Sequence, residues 1–308
     1  MNEQNSTDRP PVNRSRRTAL KSLATGLGLI ALPSPHASAA VLDAFFQRHF
    51  RELSEEELQR ILERLSSAYT EEYGRTVTVK ATPAPAGVKF GYALNLSRCI
   101  GCRRCVYGCV TENNQSRQPQ LHWIRVVQLQ KSQGVNLDQA DHYYDPAQVP
   151  EEGRFYLPVQ CQHCERAACI RACPARATWL EDDGIVAIDY NWCIGCRYCM
   201  AACPYGARHF NWKKATVPAT ELNTDMHYLG NRPRPVGVVE KCTFCIQRTR
   251  EQPGRYPACV EACPTGARKF GNLLDPDSEI RHILNNKRVF ILKQELNTQP
   301  KFFYFYAT

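Results

Sequence analysis

Sixteen cysteines fall into four groups of four along a chain of 308 residues, and none is left over. The third group reads Cys193-Ile194-Gly195-Cys196-Arg197-Tyr198-Cys199 and closes with Cys203-Pro204, a C-x2-C-x2-C-x3-C-P spacing. The first is a near copy, Cys99, Cys102, Cys105 and Cys109. The second is Cys161, Cys164, Cys169 and Cys173 (C-x2-C-x4-C-x3-C-P), and the fourth is Cys242, Cys245, Cys259 and Cys263 (C-x2-C-x13-C-x3-C-P). An iron–sulfur cubane needs four thiolates around a compact core. A C-x2-C-x2-C run curls around one cube and supplies three corners, and backbone N–H groups can point at its sulfides. The fourth cysteine is expected to open a helix that leads away, and so to reach the other cube of a pair. Pro174, Pro204 and Pro264 follow the fourth cysteines, where a fixed φ and a missing N–H suit a first helical turn. Cys203-Pro204-Tyr205-Gly206-Ala207-Arg208 and Cys263-Pro264-Thr265-Gly266-Ala267-Arg268 are near repeats and argue for duplication of one unit.

Other uses of sixteen thiols fit less well. Structural zinc commonly pairs two C-x2-C knuckles 15–20 residues apart, and only the fourth group faintly resembles that. Eight disulfides would not repeat C-x2-C-x2-C-x3-C-P. Covalent haem is excluded by the absence of C-x-x-C-H. His163, inside Cys161-Gln162-His163-Cys164, reads as a hydrogen-bonder beside a cluster rather than a ligand. There is no dinucleotide-binding glycine motif, P-loop or nucleophile elbow, so no catalytic site of the chain's own is predicted.

The elements that must position these groups are short. A strand at Tyr92–Leu96 leads into the first group, and the stretch Trp179–Tyr190 reads as a hairpin turning at Asp182-Asp183-Gly184 before the third. His122–Val127 alternates like a strand, residues 131–153 read as loop, and 213–238 as a second loop-rich insertion. Val289–Lys293 is a strand candidate, and Phe302–Tyr306 reads as a buried or edge strand. Upstream, Val41–Phe50 is amphipathic. Ser54-Glu55-Glu56-Glu57 then forms a capping box, and Leu58, Ile61, Leu62, Leu65 and Tyr69 share one helical face that stops at Gly74. This pair of helices is expected to pack on the core. Thr76–Lys80 suggests a strand, and 81–87 a Pro-rich linker.

The formal charge of +9 suggests an acidic partner at first sight. Residues 1–39 carry five basic and two acidic residues, so without them the balance is 34 minus 28, or +6. Four cubanes at about −2 each bring the loaded chain to roughly −2, which argues against nucleic-acid binding. Arg98, Arg103, Arg104, Arg197 and Lys241 crowd the motifs and are expected to compensate the clusters. Ser15-Arg16-Arg17-Thr18-Ala19-Leu20-Lys21, the apolar segment Leu23–Leu32 and the small-residue site Ala37-Ser38-Ala39 have the layout of a twin-arginine signal. That route exports folded proteins, as a cluster protein assembled in the cytoplasm requires. The apolar segment is too short to span a bilayer, and no longer apolar run follows, so no membrane span is predicted after cleavage.

With its groups in this order, the chain over about residues 88–295 resembles the four-cluster iron–sulfur subunits of the dimethyl sulfoxide reductase superfamily. It looks most like the exported members that sit on a polysulfide-reductase-type (NrfD-like) quinone membrane protein. Val110 stands where a proline would follow the first group, a departure that the family often shows there. The resemblance implies an α+β fold of duplicated ferredoxin-like dicluster modules with loop insertions. The layout is then a signal at 1–39, an N-terminal helical extension and linker at 40–87, and a four-cluster domain at 88–308. It implies four [4Fe–4S] clusters: cluster 1 on Cys99, Cys102, Cys105 and Cys263; cluster 2 on Cys161, Cys164, Cys169 and Cys203; cluster 3 on Cys193, Cys196, Cys199 and Cys173; cluster 4 on Cys242, Cys245, Cys259 and Cys109. Spacing alone supports an exchange of fourth ligands but does not show which groups are partners. The implied role is electron transfer without bond chemistry, in the periplasm and peripheral to the inner membrane. Electrons would pass between an integral-membrane quinone-reactive subunit and a cytochrome c, or alternatively a molybdopterin or hydrogenase subunit.

Overall fold

The computed structural model describes residues 54–252 and 254–307. The predicted signal and the amphipathic segment 41–50 lie outside the described residues. Helices and short strands alternate along the rest, an α+β arrangement.

The helix Glu55–Tyr73 forms as its sequence dictates. The Ser54 N–H donates to Glu57 Oε2 at 2.9 Å while the Glu57 N–H donates to Ser54 Oγ at 3.3 Å, a reciprocal capping box. Gly74 ends it at φ +64°. The apolar face does not cover the cysteine-bearing core. Leu58, Ile61, Leu62, Leu65 and Tyr69 pack on Val77, Val79, Val217, Leu222, Met226 and Tyr228, forming a satellite core with the 213–238 insertion. Thr78–Lys80 pairs in parallel with Asp225–His227 from the same insertion. What read as a loop is therefore the helix's packing partner.

The principal sheet has four strands. Phe90–Asn95 is buried along its whole length and pairs antiparallel with Arg268–Asn272, the strand that follows the fourth group. On its other side it pairs in parallel with Phe302–Phe305, and Val289–Phe290 lies outermost. The aromatic tail is thus an inner strand, with Phe302 stacked on Tyr92 at 4.5 Å between centroids. The ladder expected at His122–Val127 runs instead over Arg125–Gln130 against Arg154–Val159, and Trp123 and Ile124 are buried ahead of the first paired residue. The hairpin forms as expected, Thr178–Leu180 with Val186–Ile188. His209–Phe210 pairs with Val239–Glu240 and connects the third group to the fourth.

Candidate metal centres

The first C-x2-C step of each group bends through a residue with positive φ at the same place. These are Gly101 (+77°), His163 (+43°), Gly195 (+71°) and Phe244 (+55°). Glycine is obligatory in two of the four. A Cβ on Gly101 would lie 2.3 Å from the Tyr156 ring, and one on Gly195 would lie 2.1 Å from the Gly237 carbonyl oxygen. In the other two loops the side chains hold each other, the His163 ring stacking on Phe244 at 3.7 Å between centroids. His163 Nδ1 accepts from the Val186 N–H at 3.1 Å, so this buried ring ties its loop to the hairpin.

The fourth cysteines correct the helical expectation. The short helices Ala168–Arg171, Tyr198–Ala201 and Ala258–Glu261 precede Cys173, Cys203 and Cys263. The Cys-Pro step itself opens a tight turn. The Gly206 N–H donates to the Cys203 carbonyl at 3.2 Å, and those of Gly266 and Arg176 donate equivalently to Cys263 and Cys173 at 3.3 and 3.2 Å. Proline suits the second position of such a turn as well as it suits a helix start, so spacing could not separate the two. The turn aims N–H groups at sulfur. Burial raises the Cys263 thiol, but the Thr265 hydroxyl and the Arg268, Thr265 and Ala267 N–H groups together bring it below its ordinary value. In the first group Val110 lets the helix Arg104–Glu112 run through Cys109 unbroken.

The thiols converge across groups. Cys99 and Cys105 are electrostatic neighbours of Cys263, and these three with Cys102 line one small cavity. Cys109 neighbours Cys242, Cys245 and Cys259. Cys203 lies with Cys161, Cys164 and Cys169. Cys193 faces Cys199. Cys196 and Cys173 are half-buried, and the helices Ala168–Arg171 and Tyr198–Ala201, which flank Cys173 and carry Cys199, pack together. Arg104–Glu112 packs on Ala258–Glu261 in the same manner.

Burial pushes the thiols of Cys99, Cys164 and Cys242 up to about 12, and those of Cys109 and Cys245 well above their ordinary value. Thiolates at such depth require compensating positive charge, which iron supplies. The buried cations report the opposite imbalance. Arg234 meets Glu240 at 2.8 Å, Arg248 meets Glu112 at 2.7 Å and Arg250 meets Asp183 at 2.7 Å. Arg208, Arg268 and Lys241 are equally buried, yet among the described residues none has a carboxylate partner. The two arginines donate to sulfur, Arg208 Nη2 to Cys169 Sγ at 3.0 Å and Arg268 Nη2 to Cys105 Sγ at 3.3 Å, and Lys241 Nζ donates to the Cys242 carbonyl at 2.8 Å. An anionic cluster is the counter-charge that such a site lacks. The donor set, the cavity and the uncompensated cations fit [4Fe–4S] groups.

Of the arginines expected to compensate the clusters, Arg98, Arg104 and Arg197 are exposed and Arg103 half-buried; Arg103 lies over Tyr144, and Arg197 over Phe210 and Trp212. Arg208 and Arg268 occupy the buried positions instead. Sequence reasoning also missed Asn113 and Gln115. Asn113 Nδ2 donates to Cys245 Sγ at 3.4 Å and Gln115 Nε2 to Cys109 Sγ at 3.1 Å. Their only signal was a polar run, Asn113-Asn114-Gln115-Ser116, directly after a cysteine-bearing helix.

Zinc, at about 2.3 Å from each sulfur, draws its ligands onto a single point. Among the described residues no three His, Cys, Asp or Glu converge in that way. All sixteen cysteines are free of disulfides.

The 4Fe–4S dicluster domain model matches residues 153–238 and 233–273. A Halobacterium salinarum protein named as an iron–sulfur subunit of dimethyl sulfoxide reductase is 42% identical over 222 residues, covering 70% of this chain and 78% of that protein. The iron–sulfur cluster-binding subunit of a menaquinone reductase from Nitratidesulfovibrio vulgaris is 36% identical over 241 residues, covering 70% and 88%. A tetrathionate reductase subunit from Salmonella typhimurium is 34% identical over 223 residues, covering 70% and 72%. The chain belongs to the iron–sulfur subunits of the dimethyl sulfoxide reductase type. It is an electron-transfer subunit with four [4Fe–4S] clusters and no catalytic role of its own.

Proposed function

We propose that this subunit relays single electrons through its clusters in the order 1–4–2–3, on the ligand sets that the family resemblance implies. The observation that carries the order is the electrostatic proximity of successive sets. Cys105 of the first neighbours Cys259 of the fourth, Cys242 of the fourth neighbours Cys161 of the second, and Cys169 of the second neighbours Cys199 of the third. A bound [4Fe–4S] cluster takes up and gives back one electron. The chain supplies the rest. Its left-handed loops and Cys-Pro turns fix the sulfurs, its N–H groups and buried cations offset their charge, and the stacked His163 and Phe244 rings fill the space where sets two and four meet. The paired motifs and paired helix contacts support two ferredoxin-like modules that arose by duplication.

The relay connects an integral-membrane quinone-reactive subunit of the polysulfide-reductase (NrfD-like) type to a periplasmic redox partner such as a multihaem cytochrome c. The likeness to a menaquinone reductase subunit supports the quinone side. The twin-arginine layout of residues 1–39 supports folded export and a periplasmic, membrane-peripheral site. Among the described residues no helix is long and apolar enough to cross a membrane. A second reading replaces the cytochrome by a catalytic reductase subunit carrying molybdopterin; the tetrathionate reductase relative favours it. Iron and sulfide analysis of anaerobically prepared protein, with EPR after reduction, is expected to count four clusters, and one cluster or bound zinc would refute the relay. Co-purification in mild detergent separates the partners, a multihaem cytochrome for the first reading and a molybdopterin subunit for the second.

A further inference from the structure

The repeats ending in Gly206-Ala207-Arg208 and Gly266-Ala267-Arg268 bring two arginines to equivalent places. They are 4% and 2% exposed. Each donates to one set of a pair, Arg268 to Cys105 and Arg208 to Cys169. Each also faces the other set of that pair. Arg268 Nη1 donates to Tyr92 Oη at 2.9 Å, and that hydroxyl lies 3.4 Å from Cys259 Sγ. Arg208 lies within electrostatic reach of Cys199 as well as Cys169. Their other polar partners are neutral, Gln160 Oε1 at 2.9 Å for Arg268 and Thr178 Oγ1 at 3.0 Å for Arg208. The sulfurs without a guanidinium bond receive weaker donors. Set four takes the amides of Asn113 and Gln115, and set three the Val239 N–H, 3.5 Å from Cys193 Sγ, while Cys199 of that set receives Arg208 more weakly than Cys169 does at 3.0 Å.

We propose that Arg268 and Arg208 are potential-setting residues, one at the junction of each cluster pair. Arg268 raises the reduction potential of cluster 1 more than that of cluster 4, and Arg208 raises that of cluster 2 more than that of cluster 3. The proposal rests on the ligand sets and relay proposed above. Reduction adds one negative charge to a site that is already anionic. A fixed cation a few ångströms away in a poorly polarisable interior favours the added charge, and favours it most where it is closest. The N–H to sulfur bond strengthens in the same direction. The arginines transfer nothing themselves: the electron enters from the adjoining set and leaves to the next, and no proton or bond moves.

Potentiometric EPR titration of the holoprotein tests this against Arg268→Gln and Arg208→Gln. Arg268→Gln is expected to lower two of the four midpoint potentials, one more than the other, and Arg208→Gln the remaining two. Unmoved potentials, an equal fall in all four, or both substitutions acting on one pair would overturn the assignment. Where a glutamine variant sheds iron, Arg→Lys at the same position is titrated instead. A smaller shift confined to the same pair supports the proposal, and none, or one in the other pair, overturns it. Iron and sulfide are measured first on the unaltered protein. Fewer than four clusters there refutes the relay reading, whereas four clusters with unmoved potentials refute only the arginine assignment.

Discussion

Under the proposed pairing, groups one and four bury Cys105, Cys109, Cys242, Cys245 and Cys259, whereas groups two and three bury only Cys161, Cys164 and Cys199. The strands around them differ in the same sense. Phe90–Asn95 and Arg268–Asn272, which flank the first pair, are neighbours in the four-stranded sheet. Around the second pair the sheets have two strands each. The same cysteine grammar is thus set once in a core and once nearer a surface. Depth follows from which strands the chain provides around each motif, not from the motif.

The largest expected effect tests whether these pairs exist at all. Cys203→Ser and Cys263→Ser change equivalent residues in the two near repeats, and each should cost one cluster, about a quarter of the iron. Under the interleaved ligand sets, Cys203→Ser perturbs the cluster held by Cys161, Cys164 and Cys169, and Cys263→Ser the one held by Cys99, Cys102 and Cys105. EPR of the reduced variants distinguishes them. Damage by Cys203→Ser to the Cys193, Cys196 and Cys199 cluster alone would dissolve the comparison.

The next effect probes the two classes of buried cation. Arg234 and Glu240 are each 1% exposed at the side chain and 2.8 Å apart. Glu240→Ala leaves a buried guanidinium without its partner and is expected to cost about 3–5 kcal/mol in thermal or denaturant unfolding of the holoprotein. Glu221→Ala, which frees Arg117 from a carboxylate whose side chain is 52% exposed, should cost under about 1 kcal/mol. Equal costs would mean that Arg234 is stabilised by something other than Glu240, such as the Trp123 ring it lies over.

A kinetic experiment sharpens the contrast in depth. An iron chelator reaches cysteine-held iron through local openings, and openings are rarer in the better packed region. The pair built from groups two and three should lose its iron first, giving a fast phase of about half the total. The centre formed by Cys109, Cys242, Cys245 and Cys259, all four buried, should be the last to bleach. Iron loss in one phase would show that the two pairs open together.

What the sequence disclosed and what it concealed divide along physical lines. Cysteine spacing is a local constraint, so the four groups and their cofactor could be read directly. The hairpin at Thr178–Ile188 and the helix Glu55–Tyr73 were legible for the same reason, since turn residues and caps act over a few positions. Long-range facts were not. Nothing local marks Phe302–Phe305 as an inner strand, because its place depends on pairing with Phe90–Asn95, more than 200 residues away. Arg268 looked like the end of a repeat, and its contact with Cys105 spans 163 positions. The surface arginines beside the motifs drew attention by proximity in sequence, whereas proximity in space selected Arg208 and Arg268.

The smallest effect asks whether the satellite core is coupled to either pair. Ser54 and Glu57 close the capping box of the helix, and both partners are exposed. Ser54→Ala removes one acceptor from the first turn and should cost about 1 kcal/mol. The helix leans on Val217, Leu222 and Met226 through Leu58, Ile61 and Leu62. The same insertion reaches toward the sulfurs on two sides: Asn223 Nδ2 donates to the Glu112 carbonyl at 3.1 Å, one residue before Asn113, whose amide faces Cys245, and the Tyr228 hydroxyl donates to Asp189 Oδ2 at 2.9 Å, the residue whose carbonyl accepts from the Cys193 N–H at 3.1 Å. If helix and clusters are independent, Ser54→Ala lowers protection of helix amides in hydrogen exchange and leaves every cluster signal alone. If the route through Asn223 couples them, the centre formed with Cys109 and Cys245 changes first; if the route through Tyr228 does, the centre formed with Cys193 changes first. A first change at a centre that neither route reaches, such as the one formed with Cys99 and Cys102, would contradict both routes.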